Sequence, residues 1–229
     1  MNDDARIAAL EQQVAALTRQ VGLLEDTFAV RHLQFKYGYY MDKCLYDPII
    51  DLMADDCEIH FLGGVFRGKE GAGRLYCGRL RNRFAGGTDG PKPGLLMDHP
   101  QLQDIVDVAP DGLTARGRFR YLMQAGTHYT TGTAHQWWEG GLYENTYVKR
   151  DGAWQIQIIV PKMCYVGYYE HGWAYTKPDA INNLSKTFPE DPYGPDELAD
   201  APLVLWPQTD ILPFHYPHPV TGEPVEMEK

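Results

Sequence analysis

Ile7, Leu10, Val14, Leu17, Val21, Leu24 and Phe28 recur at alternating steps of three and four, in a stretch otherwise filled mostly by Ala, Gln, Glu and Thr. That spacing is an a/d heptad and predicts a helix with a narrow apolar seam over residues 1–28. A lone helix of this length is marginal in water, so the seam needs a surface to pack on. Two surfaces are open to it, the chain's own domain and a second subunit. The narrow stripe favours a coiled-coil contact between subunits, because a helix lying on a globular core asks for a wider apolar face.

After residue 28 the pattern changes. Val30, Leu33, Phe35, Tyr37 and Tyr40 continue as a helix to about Asp42. Asp47-Pro48 then opens a short helix over 48–53, with Asp47 at the N-cap. Cys57-Glu-Ile-His-Phe-Leu, Gly63-Gly64 and Val-Phe-Arg-Gly read as a hairpin. Residues 69–84 are basic and helical, and 85–94, with its glycines and prolines, is a loop. Strands are predicted over 97–108, 113–124, 135–149 and 154–160, with turns at Asp111-Gly112 and Arg150-Asp151-Gly152. Helices followed by a run of antiparallel strands give an α+β class, with helices covering one face of a curved sheet. Strand parity places Leu113, Ala115, Gly117, Phe119, Tyr121 and Met123 inward and Arg116, Arg118 and Arg120 outward. Ile59 pairs in register with Phe61, which sets His60 on the other face. For Tyr143 and Glu144 the pattern does not choose which points inward. Residues 29–167 thus form the central domain. Residues 168–229 lack periodicity but carry Trp173, Leu203, Val204, Leu205, Trp206, Ile211, Leu212 and Phe214, too many apolar groups for a disordered tail. They read as an extended arm laid over this domain or a neighbouring subunit.

Composition narrows the function. The formal charge of −10 over 229 residues argues against nucleic acid, whose partners need a basic surface. No apolar run is long enough for a membrane span and no signal peptide is visible. Four scattered cysteines point to reduced thiols in a cytoplasm. Nucleotide-cradling glycine motifs, a G-x-S-x-G elbow and an H-E-x-x-H pair are all missing. His215 and His218 form H-x-x-H only within a Pro-rich tail that offers Glu223 and Glu226. A small-molecule enzyme using acid–base chemistry, with no metal and no cofactor, fits best. Its candidate residues are Asp42, His99, Tyr37, Tyr40 and Glu144. A carboxylate bonded to one imidazole nitrogen would fix the tautomer and raise the basicity of the other, while tyrosine hydroxyls would hold a developing oxyanion.

Tyr37, Asp42, Tyr46-Asp47, Leu52-Met-Ala-Asp-Asp-Cys-Glu-Ile-His-Phe and Phe66-Arg-Gly-Lys follow in order, with His99 opening a strand. Together with Gly141-Leu-Tyr-Glu-Asn-Thr-Tyr-Val-Lys-Arg-Asp-Gly-Ala-Trp-Gln-Ile, they resemble the SnoaL-like branch of the nuclear transport factor two-like superfamily, over residues 24–166. The resemblance implies a cone: a strongly bent antiparallel sheet whose helices close an apolar cavity. Members include scytalone dehydratase, hexachlorocyclohexane dehydrochlorinase, steroid isomerases, polyketide cyclases and non-catalytic binders. Likeness to the two eliminating enzymes places their Asp–His dyad on Asp42 and His99. Met41 stands where the dehydratase has a Tyr before its Asp, the dehydratase's second catalytic His has no counterpart, and Lys36 matches the dehydrochlorinase's helical Lys only approximately. A heptad helix before the cone and an aromatic arm after it resemble the bacterial lignin-catabolic diarylpropane lyases. These release formaldehyde and water from a 1,2-diaryl-1,3-propanediol to give a stilbene. On this reading Phe61, Tyr121, Trp137, Trp138 and Tyr143 line a cavity for a small aromatic substrate, and the chain forms a homo-oligomer. Ile and Val at a with Leu at d lean toward two strands, and the eliminating relatives imply three subunits, the homotrimer being favoured. A dehydratase or isomerase on the same fold, and a non-catalytic binding module, are the alternatives.

Overall fold

One helix, α1 (Asp3–Asp42), carries the heptad and the segment after it with no break between residues 28 and 29. Residues 3–21 are exposed on every side, and from residue 22 one face turns onto the domain. Val30, Leu33, Gln34, Tyr37, Gly38 and Met41 are the buried positions, the three-and-four spacing of a core-facing stripe. The helix closes where Cys44 takes a left-handed conformation, φ 53°. This computed structural model describes residues 3–177, 180–199 and 202–225.

The next helix, α2, spans Tyr46–Asp51 rather than 48–53. Leu45 occupies the N-cap position without a side-chain bond. Asp47 does not cap, because its carboxylate accepts from Arg81 at 2.8 Å and from the Cys77 thiol at 3.1 Å. Strands β1 (Met53–Phe61) and β2 (Gly64–Arg67) form the expected hairpin. Its two turn residues, Leu62 and Gly63, both have positive φ (46° and 72°), the mark of a turn that matches strand twist. Helix α3 (Gly68–Gly73) continues as a π-helical segment, Arg74–Ala85, ended by left-handed Gly86.

Strands β3 (Leu95–Asp98), β4 (Gln101–Val108), β5 (Thr114–Thr127), β6 (His135–Arg150), β7 (Ala153–Ile159) and β8 (Pro161–Tyr168) follow. The strand expected over 97–108 is therefore interrupted. β3 pairs with the far end of β5 and β4 with its near half, leaving His99-Pro100 outside the ladder, where a residue without an N–H costs nothing. β3, β5, β6, β7, β1 and β2 lie in that order, with β4 beside β5 and β8 beside β6. The pairs are antiparallel except one: β1 runs parallel to β7. Helices and five strands separate these two in sequence, the long connection that parallel neighbours require. The core lies between the sheet and the helices. On β5, residues Ala115, Phe119, Tyr121, Met123 and Ala125 are buried and Arg116 and Arg120 exposed. Leu113, expected inward, lies ahead of the strand and is exposed.

The arm packs on its own domain. Leu184 and Ala199 donate backbone N–H groups to Leu62 and Gly63, and Asp196 donates to Val65. Glu197–Leu198 (β9) extends the sheet beside β2. Further on, the Trp206 N–H bonds to Cys164 on β8 at 2.9 Å. Among the described residues no helix is long and apolar enough to cross a membrane.

Candidate active site

Four elements converge on one chamber packed with aromatic side chains. α1 supplies Tyr37, the π-helical segment supplies Tyr76, and β5 and β6 supply Tyr121 and Tyr143, all buried. The Tyr37 and Tyr76 hydroxyls are 3.1 Å apart. Tyr37 and Tyr143 meet edge to face at 5.9 Å between centroids, and Tyr143 and Tyr121 lie 5.2 Å apart. Such offset and edge arrangements suit ring quadrupoles. Burial raises all four hydroxyls above the ordinary tyrosine pKa, so they stay protonated donors at neutral pH.

His99 closes the chamber at the gap between β3 and β4. Its ring meets Tyr121 edge-on at 4.8 Å and Tyr143 at 6.0 Å. Neither ring nitrogen has a hydrogen-bond partner among the described residues. Burial pushes its pKa down from 6.5 to about 4, so the imidazole is neutral at pH 7 and able to accept a proton. The expected carboxylate–imidazole bond is not made. Asp42 Oδ1 instead accepts the main-chain N–H of His99 at 2.7 Å, a donor that lies outside the strand ladder. The His99 carbonyl accepts from Gln101 Nε2 at 3.0 Å, and Gln101 Oε1 accepts from Gln34 on α1 at 2.8 Å. The backbone at His99 is thus held on both sides while its ring is left free. Burial also raises the Asp42 carboxyl, and the His99 N–H offsets part of that rise.

A second titratable group faces the same chamber. Glu139 stands on the β6 face that carries Trp137 and Tyr143, and its Oε1 accepts from the Tyr121 hydroxyl at 3.0 Å. The residue is partly exposed, yet its carboxyl group is enclosed by protein. Burial lifts its pKa from 4.5 to about 7, against opposing contributions from Tyr121 and Arg83. Sequence reasoning missed it, although the parity that pairs Trp137 with Tyr143 also selects residue 139. Glu139 and Tyr121 line a cavity of about 190 Å³ with Phe61, Met163, Asn183 and Leu203. Trp137, two residues along β6, lines a second cavity of about 290 Å³ with Arg83, Phe84, Leu95, Val166 and Ile181. The arm borders both, through Asn183 and Ile181. His99 lines neither and lies behind Tyr121.

Glu144 points the other way, which decides between it and Tyr143: the tyrosine is inward. Glu144 Oε2 accepts from Arg118 Nε at 2.6 Å, and Oε1 contacts His215 Nδ1. Arg118 also donates to the carbonyls of Leu212 and Pro213 and stacks on Phe214, 4.5 Å from its centroid. This outer-face cluster fastens the arm, and it explains why Arg118 is buried despite its outward parity. Burial works upward on the Glu144 carboxyl, but His215 and Arg118 outweigh it and hold it below the ordinary range. Trp138 shares that outer parity and lines a hollow with Leu96, Gln124 and Tyr169, one that has Thr127, His135 and Trp137 in common with the 290 Å³ cavity. Tyr40 packs partly buried against the core and makes no ring contact with His99. Lys36 is exposed on α1. His60 bonds Glu58 at 2.6 Å at the rim beside Phe61. His218 is taken up by the backbone N–H groups of Val220 and Thr221, while Glu226 lies outside the described residues. Among the described residues no three His, Cys, Asp or Glu side chains cluster as metal ligands.

The profile of the SnoaL-like domain family matches residues 23–159. The chain belongs to this SnoaL-like family. No curated protein matches it. Among solved structures, hexachlorocyclohexane dehydrochlorinase type 3 of Novosphingobium barchaimii LL02 aligns with TM-score 0.54 at 17% identity, covering 73% of this chain and 99% of that one. A protein of Novosphingobium aromaticivorans DSM 12444 named after scytalone dehydratase aligns with TM-score 0.53 at 18% identity, with coverage of 73% and 99%. At these identities the likeness is one of fold, and it establishes the cone for this SnoaL-like chain.

Proposed function

We propose that this SnoaL-like protein is a lyase that eliminates by proton transfer from a small hydroxylated aromatic substrate. The observation that carries this reading is the enclosed Glu139 carboxyl, bonded to Tyr121 on a cavity wall, with the neutral, unpartnered His99 ring behind it. One group holds its proton to near neutrality and the other has none, the separation that an acid–base pair needs. The names of the two fold neighbours, a dehydrochlorinase and scytalone dehydratase, are also those of eliminations.

In its most specific form the substrate is a 1,2-diaryl-1,3-propanediol. Two cavities, about 190 and 290 Å³, one lined by Glu139 and the other by Trp137 two residues along the same face of β6, each have room for one ring. Glu139 donates its proton to the benzylic hydroxyl, which leaves as water, while a para-hydroxyl on that ring supports a quinone-methide-like intermediate. The primary hydroxyl then gives its proton to a base, the Glu139 carboxylate directly or the His99 ring, whose nitrogens no described protein group occupies. Its C–O bond becomes the carbonyl of formaldehyde, the carbon–carbon bond breaks, and that electron pair forms the stilbene double bond. Tyr37 and Tyr143 orient hydroxyls by donating from within the chamber.

The test is incubation of purified protein with a phenolic diarylpropanediol, following stilbene absorbance and trapping formaldehyde in one tube. Both products in equal amounts are expected. Stilbene-like absorbance without formaldehyde would reduce the reading to dehydration. Neither product, on this and on a panel of hydroxylated aromatics, would sink the lyase reading in favour of a binding module.

A further inference from the structure

We propose that the projecting half of α1 is a dimerisation device that pairs in parallel with α1 of a second copy of this chain. Ile7, Leu10, Val14, Leu17, Val21, Leu24 and Phe28 are each between 52% and 61% exposed. An apolar seam that covers six turns of helix is thus left without a partner by its own chain. The alternative cover, the chain's own domain, is already engaged elsewhere. Where α1 reaches the domain it uses the opposite face: Asp26 accepts from Lys149 Nζ at 2.6 Å and from Trp154 Nε1 at 2.8 Å, and Val30 is fully buried. Residues 26 and 30 point away from 24 and 28, so the domain contact and the seam coexist. Ahead of residue 22 every described position of the helix is exposed, and a free helix of that length would fray in water.

The seam's chemistry says what covers it. Ile7, Val14, Val21 and Phe28 are at a and Leu10, Leu17 and Leu24 at d, the branched-at-a, leucine-at-d choice that favours two parallel strands. The flanking charges agree. Positions g are Arg6, Gln13 and Gln20, and positions e are Glu11, Thr18 and Glu25. In a parallel pair each g meets the partner's next e, so Arg6 faces Glu11, Gln13 faces Thr18 and Gln20 faces Glu25, one attraction and no repulsion. An antiparallel pair would set the glutamate-bearing e column against itself and leave Arg6 with no acid opposite. Ala8, Ala9, Ala15 and Ala16 on the outer face make no rival apolar surface of comparable size.

Sedimentation equilibrium of the full chain at micromolar concentration tests this, with a mass twice 26.0 kDa expected. The double variant Val14→Asn, Leu17→Lys is expected to fall to a monomer while the central domain keeps its near-ultraviolet spectrum. Ala15→Glu, one position off the seam, should stay dimeric. Leu10→Cys should cross-link across the seam under mild oxidation, with the wild type as control for its native cysteines, because only a parallel pair brings two residues 10 together. A monomeric wild type, a three-chain mass, a double variant of unchanged mass, or a dimeric Leu10→Cys variant that does not cross-link would each overturn the proposal.

Discussion

Glu139→Gln separates the roles of the chamber most sharply. The substitution keeps the side chain's shape and its acceptor for the Tyr121 hydroxyl, but removes the titration. In the folded protein the Glu139 carboxyl holds its proton to about pH 7, against 4.5 when solvated. The folded state therefore binds more protons than the unfolded one between those values, and stability falls as pH rises through the window. Below 4.5 both states are protonated and the group contributes nothing; above 7 both are ionised and the full penalty is present. The gap corresponds to roughly 3 kcal/mol. Urea unfolding at pH 5 and pH 8.5 is the assay. Relative to wild type, Glu139→Gln should gain about 2.5 kcal/mol more at the higher pH than at the lower, since part of the penalty is already present at pH 5 and the His99 contribution is common to both proteins and cancels. In the same variant, turnover of a reactive substrate should drop by ~10²–10⁴-fold, the usual worth of a positioned proton donor. A stability difference that does not change between the two pH values would refute the enclosed carboxyl. A preserved rate would refute its role as acid.

Other outcomes follow from the same geometry. His99→Ala should lose at least ~10²-fold in turnover with circular dichroism unchanged; wild-type rates would remove the histidine from the chemistry. In the Glu139→Gln background, where the opposing carboxyl titration is gone, stability should fall as pH drops from 6.5 toward 4, because the unfolded chain takes up a proton that buried His99 refuses, and adding His99→Gln should flatten that limb. Asp42→Ala leaves the His99 N–H without its acceptor and should cost about 1–3 kcal/mol in denaturant unfolding, whereas Asp42→Asn, which retains an acceptor oxygen, should cost less. Glu144→Gln should leave turnover within a few-fold of wild type yet speed amide exchange across residues 212–216, because the carboxylate pairs with Arg118 and His215 and faces away from the chamber. Slowed chemistry with an unaltered arm would return Glu144 to the candidate set.

What the sequence revealed and what it hid divide along a physical line. Local regularities were legible: the heptad, the turn at Asp151-Gly152 with its two positive φ angles, and the alternation that turns Tyr121 inward. These depend on one element at a time. The parallel pairing of β1 with β7 was hidden because it depends on where a long connection returns. The break at His99-Pro100 was missed although Pro100, which has no N–H to give a ladder, marks it in the sequence. At the site, Asp42 and His99 do meet, but the spacing of two residues cannot say whether a carboxylate reaches a ring or a backbone N–H. Arg118 and Glu144 followed the alternation of their strands, yet their role was set by residues 212–215, nearly seventy positions or more away in the chain. Glu139 is the instructive miss. A glutamate next to two tryptophans reads as a solvated interruption, and only the closure of Tyr121 and Phe61 around it makes its charge expensive. The residue that carries the proposed chemistry is thus the one whose character is created by the fold. The α1 helix joins the legible and hidden parts, since the same rod that leaves its seam exposed at one end holds Gln101 through Gln34 and the His99 backbone through Asp42 at the other. Pairing of two copies along the seam would stiffen that rod over its full length, so the position of His99 and the proposed pairing would rest on one continuous helix.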